Sequence, residues 1–128
     1  MNHQIKSFAK INLGLKVLNK RVDGFHNINS IFIQIDLHDT LTFIPSKKFR
    51  MKCNNKNIPT NHNNTIYQAY SMLNKIFSFK NHYTISLTKR IPTGSGLGGG
   101  SSNGATTLIM LNRIHKLNLN NKELMAIG

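Results

Sequence analysis

A chain of 128 residues, 39% of them hydrophobic, is long enough for one domain with a filled core. Its single cysteine, Cys53, excludes an internal disulfide framework and a cysteine-based zinc site, and no apolar run nears the roughly 20 residues of a membrane span. With 17 Lys and Arg against 4 Asp and Glu, the net charge is +13, which invites a polyanionic partner.

The cations are dispersed from Lys6 to Lys122 rather than gathered in one tail or helix. Lysine outnumbers arginine, and Asn and Ile are abundant; all three have AT-rich codons, so genome composition is expected to account for part of the charge. Nucleic acid is therefore not the expected partner, and an RNA-binding module stands as the alternative. Met1 to Lys10 has no apolar core followed by a small-residue cleavage site, so no secretory signal is expected. The expected setting is a reducing cytoplasm.

In chain order, Phe8 to Val17 reads as a strand, followed by a tight turn at Asp23-Gly24. A second strand is predicted from Ile28 to Leu37, where Ile31, Ile33, Ile35 and Leu37 alternate with more polar neighbours. His38-Asp39 reads as a turn and Thr40 to Ile44 as a short return strand. Lys47 to Asn64 is polar and Asn-rich, with at most a short strand. Thr65 with Gln68 resembles a capping box, Asn64 being an alternative cap, and Ile66, Ala69, Tyr70, Leu73 and Phe77 form the core stripe of a helix. Tyr83, Ile85 and Leu87 mark another strand. A helix is predicted from about Ser101 through Ile114, and Asn120 with Glu123 caps a last short one.

Between that strand and helix lies Pro92, Thr93, Gly94, Ser95, Gly96, Leu97, Gly98, Gly99, Gly100, Ser101 and Ser102, with five glycines in seven residues. Such a backbone can approach a ligand closely, and its successive N–H groups form an anion-binding concavity. The following helix adds its positive dipole end, and the two serines offer hydroxyls to phosphate oxygens or to magnesium. No Lys follows the glycines, so this is not a Walker A loop. The Gly-x-Gly-x-x-Gly match at Gly94, Gly96 and Gly99 lacks an acid about 20 residues on, as a dinucleotide site requires.

The string Pro92 to Thr106 resembles the ATP-binding loop of the GHMP kinases. The branch it is most similar to acts on 4-diphosphocytidyl-2-C-methyl-D-erythritol. Ala9-Lys10-Ile11-Asn12-Leu13, Arg21-x-Asp23-Gly24-Phe25-His26, Asp39-Thr40-Leu41 and Asn63-Asn64-Thr65 resemble further motifs of that branch, in the same order. The resemblance implies an α+β fold, the GHMP kinase N-terminal domain, similar to the second domain of ribosomal protein S5, with a mostly antiparallel sheet packed with helices. It also implies ATP-dependent phosphorylation of the substrate's 2-hydroxyl, a step of the non-mevalonate route to isoprenoids, with ATP and magnesium as cofactors. By motif position Lys10 is the catalytic cation, Asn12 holds substrate hydroxyls, and Phe25 and His26 stack on and hydrogen-bond the cytosine. Asn64 and Lys89 fall near the nucleotide, and residues 92–102 wrap its phosphates. No metal ligand is assigned.

Phe25 stands where the family usually has Tyr, which keeps stacking and loses a hydroxyl. The resemblance also places the general base, an Asp, and a C-terminal domain beyond Gly128. Residues 1–128 are thus expected to be a truncated ATP-binding domain, and by themselves a poor or inactive kinase, since general-base assistance is worth about 10²–10⁴-fold. A complementing C-terminal chain is a possible partner, a non-functional remnant a further alternative, and exposed apolar surface is expected where the second domain would pack.

Overall fold

The structure, a computed structural model, describes residues 1–14, 30–94 and 98–127. Four strands, β1 (His3–Gly14), β2 (Ser30–Ser46), β3 (Arg50–Cys53) and β4 (His82–Thr88), form one sheet in the order β1-β2-β4-β3. Three helices, α1 (Thr65–Phe77), α2 (Gly99–Ile114) and α3 (Asn121–Ile127), complete the α+β arrangement. β1 pairs antiparallel with β2, and β2 with β4, while β3 runs parallel to β4. Parallel neighbours need a long crossover, and here the crossover carries α1.

One sheet face is apolar. Leu41 and Phe43 on β2, and Ile85 and Leu87 on β4, are buried with Ile66, Leu73 and Leu111 from the helices. The opposite positions are polar: Gln4 and Lys6 on β1 are exposed, and Thr40 and Thr42 opposite them are half-buried. A sheet covered on one side shows this period of two.

The predicted turn at His38-Asp39 is not formed; β2 runs through it as one 17-residue strand. The chain instead bulges against β1, where Phe8 faces His38 but Lys10 faces Gln34. Neither His38 nor Asp39 supplies the left-handed backbone of a tight hairpin, and Asp39 is fully buried with partners elsewhere in the fold. β1 begins at His3, five residues before the predicted start; the Asp23-Gly24 turn lies outside the described residues.

Asn64, not Thr65, is the N-cap of α1, accepting from the Ile66 amide at 2.8 Å. Gln68 does not close a capping box; its amide nitrogen donates to the carbonyl of His62. Four of the five predicted core positions of α1 are buried, whereas Phe77, in its last turn, is 37% exposed. At α3 the reciprocal box is formed: the Glu123 amide donates to Asn120 Oδ1 and the Asn120 amide to Glu123 Oε1. Met72, Ile109 and Met125 are exposed and, with buried Leu108 and Leu124, line an apolar groove of about 710 Å³ among the three helices.

Beneath the far end of the sheet, rings hold the end of α2. The imidazole of His115 stacks on Phe79 at 3.8 Å, and the Tyr70 hydroxyl and Nδ1 of His82 share a hydrogen bond. Burial pushes the Tyr70 hydroxyl up to about 12, so it stays protonated across the neutral range. Burial, and then the charge of nearby His82, lower the pKa of His115, whose Nε2 is buried without a partner. The unfolded chain takes up the His115 proton near the ordinary imidazole value of about 6.5, before the folded chain does. The stabilisation is complete above that value and declines as pH falls below it. The urea midpoint is therefore expected to drop from pH 7.5 to 5.5, with a smaller drop in His115→Phe, which keeps the stack and removes the titration.

Candidate functional site

β4 ends at Thr88, and Lys89 to Ile91 carries the chain toward the glycine-rich loop. This turn of direction is held by Asp39. Its Oδ2 accepts from Lys89 Nζ at 2.7 Å, and its Oδ1 accepts from the amides of Arg90 at 2.6 Å and Ile91 at 2.8 Å. The Lys89 amide in turn donates to Asn54 Oδ1 at 2.7 Å, tying the segment to the end of β3. Lys89–Asp39 is an ion pair with side chains 7% and 0% exposed. Removing one member of such a pair strands a buried charge, at a cost of about 3–5 kcal/mol.

α2 starts at Gly99, two residues before the predicted start, behind Gly98 with φ 71°. A positive φ suits glycine and turns the chain sharply into the helix. Gly98 has no side chain to cap with, and no side-chain cap bond is made at this helix start, in contrast to Asn64 on α1 and Asn120 on α3. The first regular backbone bond runs from the Ser102 amide to the Gly98 carbonyl at 2.9 Å. The amides of the preceding turn have no intrahelical acceptor. They carry the positive end of a 16-residue helix dipole with no acidic side chain in the first turn.

This helix start forms one wall of an open cleft of about 430 Å³. Lys89, Pro92, Thr93, Gly94, Gly98, Gly99, Gly100 and Ser101 line it on the loop side, and Asn64 on the other. Nine of the predicted site residues thus meet around one cavity. Five more wall residues, Ile58, Pro59, Asn63, Thr65 and Asn103, were not singled out as ligand contacts. Asn63 and Thr65 belong to a motif noted in the sequence; Ile58 and Pro59 sit in a stretch without periodicity and gave no signal.

Several predicted residues have other surroundings. The Asn64 side chain is engaged at both ends, capping α1 and donating to the Pro59 carbonyl at 3.0 Å. Ser102 is buried away from the cleft. Ser7 Oγ donates its one proton to Asn103 Oδ1 at 2.9 Å, so Ser102 Oγ must donate to Ser7, also at 2.9 Å. This pair of bonds docks the start of α2 on β1. Lys10 is exposed on β1, opposite Gln34, and does not line the cleft. Asn12 is part of β1, opposite Phe32. Phe25, His26, Ser95, Gly96 and Leu97 lie outside the described residues.

No group of three or more His, Cys, Asp or Glu among the described residues is placed to hold a metal ion. The described cleft wall carries hydroxyls, amides and one ammonium, the donor set of an anion site. No helix of the described residues is long and apolar enough to cross a membrane.

Residues 64–128 match the family model described as the GHMP kinases N terminal domain. The chain is 42% identical over 124 residues to a 4-diphosphocytidyl-2-C-methyl-D-erythritol kinase of Pelodictyon phaeoclathratiforme, covering 97% of this chain and 43% of the relative. It is 46% identical over 123 residues to an enzyme of the same name from Thermodesulfovibrio yellowstonii, covering 96% and 42%. The chain therefore spans less than half the length of these relatives. Among solved structures, a 4-(cytidine 5'-diphospho)-2C-methyl-D-erythritol kinase superposes with a TM-score of 0.73 at 31% identity, covering 98% of this chain and 46% of that one. The Methanococcus jannaschii mevalonate kinase shares the fold, with a TM-score of 0.74 at 20% identity, over 100% of this chain and 45% of its own. With its glycine-rich helix start, its mixed sheet and the family model matched over half its length, the chain belongs to the GHMP kinase family.

Proposed function

We propose that these residues form the ATP-binding domain of a kinase that phosphorylates the 2-hydroxyl of 4-diphosphocytidyl-2-C-methyl-D-erythritol in the cytoplasm. One observation carries the nucleotide part: of the three helices in the described residues, α2 alone begins on a glycine without a side-chain cap or an acid, and it begins on a cleft wall beside an ammonium group. That is the electrostatic setting a triphosphate needs. The substrate part rests on the relatives' names and on the motifs that hold Lys10, Asn12, Phe25 and His26.

Phosphoryl transfer depends mainly on positioning and charge stabilisation. The amides of Gly99, Gly100 and Ser101 would donate to phosphate oxygens, and Thr93 and Ser101 add hydroxyls from the wall. Magnesium neutralises phosphate charge when bound. With no carboxylate on the described wall, it would be held chiefly by the phosphates, with Ser101 the nearest match to a hydroxyl ligand. Lys10 is assigned to the attacking hydroxyl and the transferring phosphoryl group. The acids of the described residues leave the base unassigned: Asp39 is paired with Lys89, Glu123 caps α3, and Asp36 is exposed on β2. A carboxylate supplied by a continuation of the chain or by a complementing chain would complete the site, and the 128 residues tested by themselves would bind ATP and turn over poorly.

Titration calorimetry tests the binding claim. The chain should bind MgATP, and adenosine at least about tenfold more weakly, since the phosphates supply the charge-assisted bonds. Equal affinity for the two, or RNA binding with no response to ATP, contradicts the reading.

A further inference from the structure

We infer that Asp39 is a positioning residue of the nucleotide site, acting through Lys89 and the backbone that enters the glycine-rich loop. The inference rests on the ATP-binding reading above and adds to it a residue that contacts no ligand. Asp39 sits in the middle of β2, fully buried, 50 residues from the lysine it holds. Its two oxygens take three donors from three consecutive residues, the Lys89 ammonium and the Arg90 and Ile91 amides. One carboxylate thereby fixes both the first side chain after β4 and the direction in which the chain leaves the strand.

The consequence reaches the cleft. A Cβ on Gly99 would lie 2.8 Å from Lys89 Nζ, so the ammonium rests directly over the first turn of α2. Lys89 and Gly99 share the cleft wall. An ammonium has three donors, and Asp39 takes one of them. Without Asp39 the flexible four-carbon stem would have no reason to keep its charge at that spot. A buried ion pair is also no better for stability than an apolar pair of the same volume. Its placement at the wall, rather than its contribution to stability, is what the geometry accounts for.

The test is a two-residue cycle read on MgATP affinity, at a temperature where circular dichroism shows every variant folded. Asp39→Asn should weaken binding about tenfold, because the lysine loses its charged anchor. Lys89→Met should weaken it at least as much, since it leaves an uncompensated carboxylate beside the triphosphate. The double variant, which removes that carboxylate, should bind more tightly than Lys89→Met. Read on the affinity of the folded protein, this reversal is not produced by a merely structural role, because the cost of a stranded buried charge shows in the melt and leaves the affinity of the folded fraction unchanged. Should Asp39→Asn melt too low, the comparison of Lys89→Met with the double variant carries the test, and calorimetry can be replaced by filter binding on the folded fraction. Affinity of Asp39→Asn within about twofold of the parent, or losses that multiply in the double variant, overturn the inference. A parent chain that binds no ATP overturns the underlying reading instead, and is distinguished by that single control.

Discussion

Gly99→Ala is expected to lose ATP binding by more than about tenfold and to destabilise the fold by about 1–3 kcal/mol, the range for an overpacked contact. The backbone at Gly99 is helical, so conformational strain is not the cause. The added methyl would lie 2.8 Å from Lys89 Nζ, 2.9 Å from Ile91 Cγ2 and 3.2 Å from Ile91 Cβ. Ile91 is 1% exposed and has no room to retreat, and its amide is held by Asp39. The lysine is the softer neighbour, but moving it breaks a 2.7 Å ion pair. Gly100→Ala is the control for stability. A Cβ there meets nothing within 4 Å, and alanine in a helix is favoured over glycine by about 0.5–1 kcal/mol. A chemical melt of both variants, with MgATP titration of the folded protein, separates a crowded wall from a general intolerance of side chains in the loop.

Phe43→Ala is expected to cost about 3–5 kcal/mol, against less than about 1 kcal/mol for Ile44→Ala at the next position. The two residues are adjacent and occupy opposite faces of β2. Phe43 is fully buried in the core cluster and meets Tyr83 edge-on at 6.4 Å, whereas Ile44 is 37% exposed. A domain of this size has about 5–15 kcal/mol in all, so Phe43→Ala should leave a protein that unfolds in mild urea. Comparable midpoints for the two variants would mean that the sheet presents its other face to the helices.

The contrast also shows what the residues reveal locally. Alternation in Tyr83, Ile85 and Leu87 marks β4, the stripe from Ile66 to Leu73 marks α1, and the Asn120–Glu123 pair marks the start of α3. Each is a short-range pattern written within one element. The glycine run is equally local, and its place between a strand and a helix is enough to suggest an anion site. What escaped was long-range. His38-Asp39 looks like a turn because polar residues interrupt an apolar run, but the buried carboxylate is satisfied by donors about 50 residues away. Ser102 looks like a phosphate ligand beside Ser101, yet Ser7, 95 residues earlier in the chain, holds its hydroxyl under the sheet. Asn64 carries both a family position and a helix cap, and its side-chain hydrogen bonds go to the capped Ile66 amide and the Pro59 carbonyl.

The net charge of +13 takes on a narrower meaning as well. One of those cations, Lys89, is placed at the cleft and is already balanced by Asp39. The proposed anion site is made chiefly of uncharged backbone N–H groups, which need no lysine of their own.

Amide hydrogen exchange in the presence and absence of MgATP tests the central claim most directly. Bound phosphate should occupy the open amides at the start of α2, slowing exchange at Gly99, Gly100 and Ser101 and leaving β3 unchanged. Unchanged exchange at the start of α2 under saturating MgATP, or protection confined to the polar face of the sheet, would contradict the assignment of this helix start as the nucleotide site.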